Sequence, residues 1–390
     1  MVHVADRVEQ LPPYLFVQIR QKEREARSRG IDVISLGVGD PDHPTPGHII
    51  DALNGAARDP AMHVYPPDEE RGMASFRQAV AQWYAKRFAV SLDPDREVLA
   101  LIGSKEGNHH LALAYLNPGD VALIPDPAYP AYVASAIFAG AQVIRIPLSA
   151  TAGWLPALRD IPTDQARRAK ILWLNYPNNP TTAMAPSSFW QEVAEWSRSN
   201  DTIVVNDCPY SEIAFGEQPA SLLCSSALDA PIVEFNSLSK PYNMTGWRIG
   251  MAVGNAEIIA ALRKVKENTD SGIFGAVQRA GIAALTGPQD NIHRMVEIYR
   301  RRRDLVVETW RNLRLPIDEP QATFYVWAPI PAGMRSIDFA SLLLEKTGVV
   351  VTPGVGYGSQ GDSYVRMSLT IDDLRLEEAM ERIRSLGQWK

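Results

Sequence analysis

Lys240 stands in the stretch of the chain that reads most readily as chemistry, Ser237-Leu238-Ser239-Lys240-Pro241-Tyr242-Asn243-Met244-Thr245-Gly246-Trp247-Arg248-Ile249-Gly250. An apolar run leads into it, two serines precede the lysine, and an arginine follows on the same stretch. An amine that is to condense with a carbonyl must lose its proton near neutral pH, which burial and a cationic neighbour promote. Hydroxyls and a guanidinium are also what a phosphate monoester needs around it. A lone lysine is usually a solvated surface residue, so the surroundings carry the reading.

Other candidates are weaker one by one. Gly103-Ser104-Lys105-Glu106-Gly107 precedes a helix predicted over Asn108–Tyr115 and would offer backbone N–H groups and a hydroxyl to an anion. A capped helix start gives the same text. Asn178-Asn179-Pro180-Thr181 makes a good turn without any function. Asp207, after an apolar run, could equally be a helix N-cap. Arg366 lies between apolar residues in Tyr364-Val365-Arg366-Met367-Ser368-Leu369, a costly placement for a charge without a partner. Gly39, in Leu36-Gly37-Val38-Gly39-Asp40-Pro41, is a weak signal as a glycine loop alone, and Tyr129 in Asp126-Pro127-Ala128-Tyr129-Pro130 reads first as a core or turn tyrosine.

The elements that must position these residues supply the stronger argument. Val98–Ile102, Val121–Ile124, Gln142–Ile146, Lys170–Leu174, Thr202–Asn206, Ile232–Asn236 and Ile249–Val253 are short β-type runs alternating with helical stretches. Mostly apolar rather than alternating, they suit a mostly parallel seven-stranded sheet buried on both faces, and hence an α/β domain. Ligands bind at the carboxyl ends of such strands. Five of those ends carry polar or glycine-rich text: Gly103–Gly107, Asp126–Tyr129, Asn175–Thr182, Asp207–Tyr210 and Ser237–Arg248. The clustering points to one site.

Beyond residue 286 a long charged helix (Asp290–Leu313) precedes a strand at Thr323–Trp327, a helix at Ser336–Lys346, strands at Gly348–Thr352 and Val365–Leu369, and a final helix from Asp372. This is a smaller α+β domain. The division expected is an N-terminal segment, 1–45, packing with the small domain; a large domain, 46–285; and the small domain, 286–390. The run Tyr299–Asp304, with four arginines, is expected to be a solvated helix face with local acidic partners.

Composition sets the bounds. The 390 residues suit two domains, and 46% apolar with 22% charged residues is a globular profile. A net charge of −6 gives no positive field for nucleic acid or an anionic membrane. The two cysteines, Cys208 and Cys224, are unpaired in spacing, which argues against a disulfide framework or a cysteine-based zinc site, and no metal is expected. With no apolar signal core at the start and no membrane-length run, a cytoplasmic location is expected.

Taken together, the lysine segment resembles the lysine motif of fold type I pyridoxal-phosphate enzymes, and the resemblance extends through essentially the whole chain to the aminotransferases. It implies that Lys240 forms the Schiff base with pyridoxal 5′-phosphate and moves the proton. It implies that Asp207 faces the pyridine nitrogen, that Asn179 and Tyr210 meet the phenolic oxygen, and that Tyr129 stacks on the ring. Ser104, Lys105, Ser237 and Arg248 would surround the phosphate, with Tyr65 reaching it from the partner of a homodimer. Arg366 would grip the substrate α-carboxylate, with Asn179 and Gly39 beside it.

Leu11-Pro12-Pro13-Tyr14-Leu15-Phe16, Asn175-Tyr176-Pro177-Asn178-Asn179-Pro180 and Ala322-Thr323-Phe324-Tyr325-Val326-Trp327 are similar to the LL-diaminopimelate aminotransferase group, whose members pass an amino group to 2-oxoglutarate. By that match Tyr14 and Lys105 lie near the substrate's distal end, and one of Asp68, Glu69 or Glu70 takes an acidic role there. Thr182 and Cys208-Pro209 depart from the pattern. Thr182 stands where the group has glycine, so a positive φ there would be strained. Aspartate, alanine and N-succinyl-diaminopimelate aminotransferases share the same cofactor residues, and a β-lyase keeps the cofactor but breaks another bond. A regulator with an added DNA-binding module has no room before residue 46.

Overall fold

The computed structural model describes residues 2–65, 71–225 and 229–387. A short strand β1 (Ile34–Ser35) comes first, followed by β2 (Val98–Leu101), β3 (Val121–Asp126), β4 (Gln142–Pro147), β5 (Ala169–Leu174), β6 (Ile203–Asp207), β7 (Ile232–Ser237) and β8 (Gly250–Gly254). The remaining strands are β9 (Tyr325–Pro329), β10 (Val349–Val350), β11 (Thr352–Pro353) and β12 (Tyr364–Ser368). Strands β2 to β8 form one seven-stranded sheet in the order β2-β8-β7-β6-β5-β3-β4. All seven runs expected from the sequence are in it, and the fold is α/β with a mostly parallel sheet. Only β8 opposes its neighbours, pairing antiparallel with both β2 and β7.

Helices cover both faces. Leu123, Leu172 and Val204 pack on one side with Trp83, Tyr84 and Trp190, while Ile124, Trp173 and Val205 pack on the other with Leu111 and Leu262. Such side chains are fully apolar because neither face meets water. Strand β4 is the exception: it is an edge strand and half of it is exposed.

A second core surrounds the three-stranded sheet β11-β12-β9, with Tyr299, Trp310, Phe339 and Met380 supplied by helices Asp290–Asn312, Ser336–Thr347 and Asp373–Arg384. Strand β1 pairs in parallel with β10, Ile34 opposite Val349, and Leu15, Ile19 and Ala26 of helix Leu15–Ser28 pack with Trp327, Leu344 and Val350. The arginine run is only partly solvated: Arg301 is exposed and Arg300 half-buried, whereas Arg302 and Arg303 are buried. The helix turns that face inward because Val306, Val307 and Trp310 belong to the core. Acidic partners do neutralise both buried arginines, Arg302 at Asp42 (2.9 Å) and Asp373, and Arg303 at Asp304 (2.7 Å) and Glu319 (3.2 Å).

Candidate active site

A cavity of about 380 Å³ opens at the carboxyl ends of the parallel strands, and the N-terminal segment and β9 close its other side. Of the residues singled out from the sequence, Lys240, Asp207, Tyr210, Asn179, Ser237, Arg248, Ser104, Lys105, Tyr129, Gly39 and Tyr14 all line it. Arg366 lies just behind the wall. Tyr65 does not line it; its side chain is 76% exposed. Asp68, Glu69 and Glu70 lie outside the described residues.

Lys240 follows β7, and its Nζ donates to the Gly39 carbonyl at 3.2 Å. Burial is the largest influence on this amine and pulls its pKa below the usual lysine range. Tyr325 and Asp40 oppose the shift, and Arg366 and Arg248 reinforce it.

Asp207 ends β6. Its Oδ2 accepts from Asn108 Nδ2 (2.9 Å) and the Tyr132 hydroxyl (3.1 Å), while Oδ1, also buried, has no hydrogen-bond partner among the described residues. Burial pushes this carboxyl up to about 6, against the pull of Asn108, Ser104 and Tyr132 beside it. Trp173 Nε1 donates to Asn108 Oδ1 at 2.9 Å, so the amide orientation is fixed from behind.

The anion-binding end is built from β2, β8 and the segment between β7 and β8. Gly103 has φ 78° and ψ 157°, a region essentially reserved for glycine. A Cβ there would come within 2.3 Å of Arg248 Nη2, so the guanidinium lies directly on this turn. Ser104 and Lys105 begin the helix Ser104–Tyr115, earlier than the sequence suggested, so their N–H groups belong to its first turn and face the cavity. The Ser239 hydroxyl is buried without a partner among the described residues, and Ser239 N donates to Ser237 Oγ at 3.2 Å.

The opposite wall is aromatic and cationic. Arg366, on β12, is fully buried: Nη1 donates to Asn179 Oδ1 (2.8 Å), Nη2 to the Gly37 carbonyl (2.9 Å), and Nε has no partner among the described residues. Its guanidinium carbon lies 3.9 Å over the Tyr325 ring. The Tyr210 hydroxyl donates to that of Tyr325 at 3.2 Å. A Cβ on Gly39 would lie 2.2 Å from the Tyr325 hydroxyl, so close approach requires glycine there. Near the mouth, the Lys105 ammonium sits 4.9 Å over the Tyr14 ring. Thr182 does adopt φ 66°, in the left-handed region where a β-branched residue is strained.

Pyridoxal phosphate fits this set. A buried carboxylate oxygen without a donor suits a protonated ring nitrogen. The first turn of a helix, a guanidinium and an unpartnered hydroxyl suit a phosphate, and a deprotonation-prone amine suits an aldehyde. Sequence reasoning missed Asn108, Tyr132, Asn175 and Tyr325. Tyr325 stood inside a recognised motif, whereas Asn108 and Tyr132 gave no signal because their roles arise from packing.

Residues 31–383 match the family model for aminotransferase class I and II. The LL-diaminopimelate aminotransferase of Moorella thermoacetica is 53% identical over 381 residues, 97% of each chain. Among solved structures, substrate-bound BacF from Bacillus subtilis is 35% identical with a TM-score of 0.95 over 100% of both chains. A single mutant of Thermus thermophilus aspartate aminotransferase is 29% identical with a TM-score of 0.91, over 99% of this chain and 100% of that one.

Proposed function

The chain belongs to the class I and II aminotransferases, and from that premise we propose that it transfers the amino group of LL-2,6-diaminopimelate to 2-oxoglutarate with pyridoxal 5′-phosphate as carrier. The observation that carries the cofactor reading is the Asp207 oxygen left without a donor in the same cavity as the Lys240 amine. When bound, the cofactor supplies an aldehyde that exchanges amino groups and a ring that accepts electrons.

The chain's own residues do the rest. Asp207 would hold the ring nitrogen protonated, and Asn179 and Tyr210 would meet the phenolic oxygen. The Ser104 and Lys105 amides, Ser237 and Arg248 would hold the phosphate, with Tyr129 against the ring. Arg366 would clamp the substrate α-carboxylate and, with Gly39, leave the Cα–H bond facing Lys240. Nζ of Lys240, its pKa lowered by burial, would take that proton and give it back. A clamped carboxylate is held away from the bond-breaking orientation, which disfavours decarboxylation.

Tyr65 would reach the phosphate of a partner subunit, so the working unit is a homodimer. The chain would divide into a large domain, 46–285, and a small domain, 286–390, with the N-terminal segment 1–45 packing on the small one. No helix of the described residues is long and apolar enough to cross a membrane.

An amino-donor screen tests the substrate. LL-diaminopimelate, aspartate, alanine and N-succinyl-diaminopimelate are each offered with 2-oxoglutarate, and glutamate is scored. LL-diaminopimelate is expected to give the highest kcat/KM; a higher value for another donor reassigns the substrate. Release of pyruvate and ammonia without an acceptor would identify a lyase instead. Lys240→Ala is expected to lower kcat by roughly 1,000-fold or more. A variant that transaminates at the parent rate would remove the assignment.

A further inference from the structure

Lys266 is fully buried behind the helix Ser104–Tyr115, at the end of helix Ala256–Glu267. Its ammonium lies 2.8 Å from Glu106 Oε1 and 2.9 Å from each oxygen of Asp270. His110 Nδ1 stands 3.5 Å from the same Glu106 oxygen. Glu106, His110 and Asp270 are close enough together to hold a metal ion, but the ammonium already lies against both carboxylates as their cation. Burying an ammonium is costly unless it is well paired, so this placement asks for a reason.

That reason lies one bond further on. The other oxygen of Glu106, Oε2, accepts from the Ile102 amide. The Ile102 carbonyl accepts from Arg248 Nη2 at 3.3 Å, and Arg248 Nη1 donates to the Thr245 carbonyl at 3.0 Å. The peptide units leading into Ile102 and Gly103 are therefore held from two sides, the first by Glu106 from behind and the second by Arg248 in the cavity. A carboxylate in the first turns of this helix also opposes an anion at its N-terminus, and the ammonium, shared with Asp270, offsets part of that effect.

We propose that Lys266 is a positioning residue for anion binding: it fixes Glu106, which in turn holds the 102–104 turn in the shape that receives a phosphate. The inference rests on the reading of that turn as the phosphate subsite of the cofactor. Asp270 completes the bridge, because its Oδ1 also accepts from Gly272 N at 2.7 Å and so anchors the ammonium to the following loop.

The test compares pyridoxal 5′-phosphate with pyridoxal, which has the same ring and aldehyde but no phosphate. Dissociation constants for both are measured on the full chain by quenching of tryptophan fluorescence, for the wild type, Lys266→Met and the double variant that adds Glu106→Leu to it. Removing one partner of a buried pair can unfold a protein, so the double variant, which removes both partners and the acceptor of the Ile102 amide, decides alone if Lys266→Met does not fold. The wild type should prefer the phosphorylated ligand; no preference would sink the phosphate subsite itself. The variants should lose about fivefold or more of that preference while pyridoxal affinity stays near the wild-type value. A smaller loss in folded variants, or equal weakening of both ligands, overturns the role of Lys266 and leaves the subsite standing.

Discussion

Asp207 divides its carboxylate between two tasks, one oxygen bound by Asn108 and Tyr132 and the other left without a partner among the described residues. Without a positive partner the native state favours the protonated acid, with a pKa of about 6 instead of 3.8. The native state then binds this proton more tightly than the unfolded chain. Its stabilising effect is complete below pH 3.8 and is lost as pH rises to about 6, a change of about 3 kcal/mol. Urea unfolding of the cofactor-free protein across that window should show the decline, and Asp207→Asn should flatten it. Equal slopes in the two proteins would refute the assignment of the shift to this group. Arg366 makes a second case. Its two Nη atoms reach Asn179 and Gly37 while the guanidinium lies flat on Tyr325, a geometry that an ammonium cannot copy. Arg366→Lys should lower kcat/KM for amino donors by roughly 100-fold, measured by steady-state kinetics.

At the scale of elements, the turn at Gly103 makes the sharpest prediction. Alanine would enter a backbone region closed to it and push Arg248 aside, so Gly103→Ala should cost about 2 kcal/mol of stability and weaken cofactor binding at least tenfold. Thermal melts and cofactor titration would check both. Six of the seven sheet strands were legible because burial on both faces leaves apolar text, and the edge strand β4 because Val143, Ile144 and Ile146 still read as β-type. Positions set by backbone conformation were not. The strand expected at Thr323 begins two residues later because Thr323 has φ 69° and its Oγ1 accepts from Tyr325 N at 3.1 Å. The helix expected from Asn108 starts at Ser104, where polar text reads as loop until Glu106 is seen reaching back to the Ile102 amide. Most cavity-lining residues that follow strands were singled out from the sequence, Asn175 after β5 excepted, whereas Asn108 and Tyr132, which support Asp207 from neighbouring helices, needed the packing.

On the scale of the whole molecule, a site shared between subunits can be tested by mixing. Lys240→Ala and Tyr65→Ala are each defective in the proposed homodimer. A heterodimer of the two pairs an intact lysine with an intact tyrosine at one of its sites. Mixed, unfolded and refolded together, they should show several times the mean activity of the separate variants. Activity equal to that mean would show that Tyr65 does not act across an interface. The lone reversed strand of the large sheet has a consequence of its own. Because β8 turns straight back beside β7, the amine and the guanidinium travel on one continuous return, 238–249, anchored at both ends by neighbouring strands. Chain breaks for a permuted or split version of the enzyme therefore belong elsewhere, for instance at the exposed turn around Gly153, since a cut inside this return would separate a pair of groups that must stay in register.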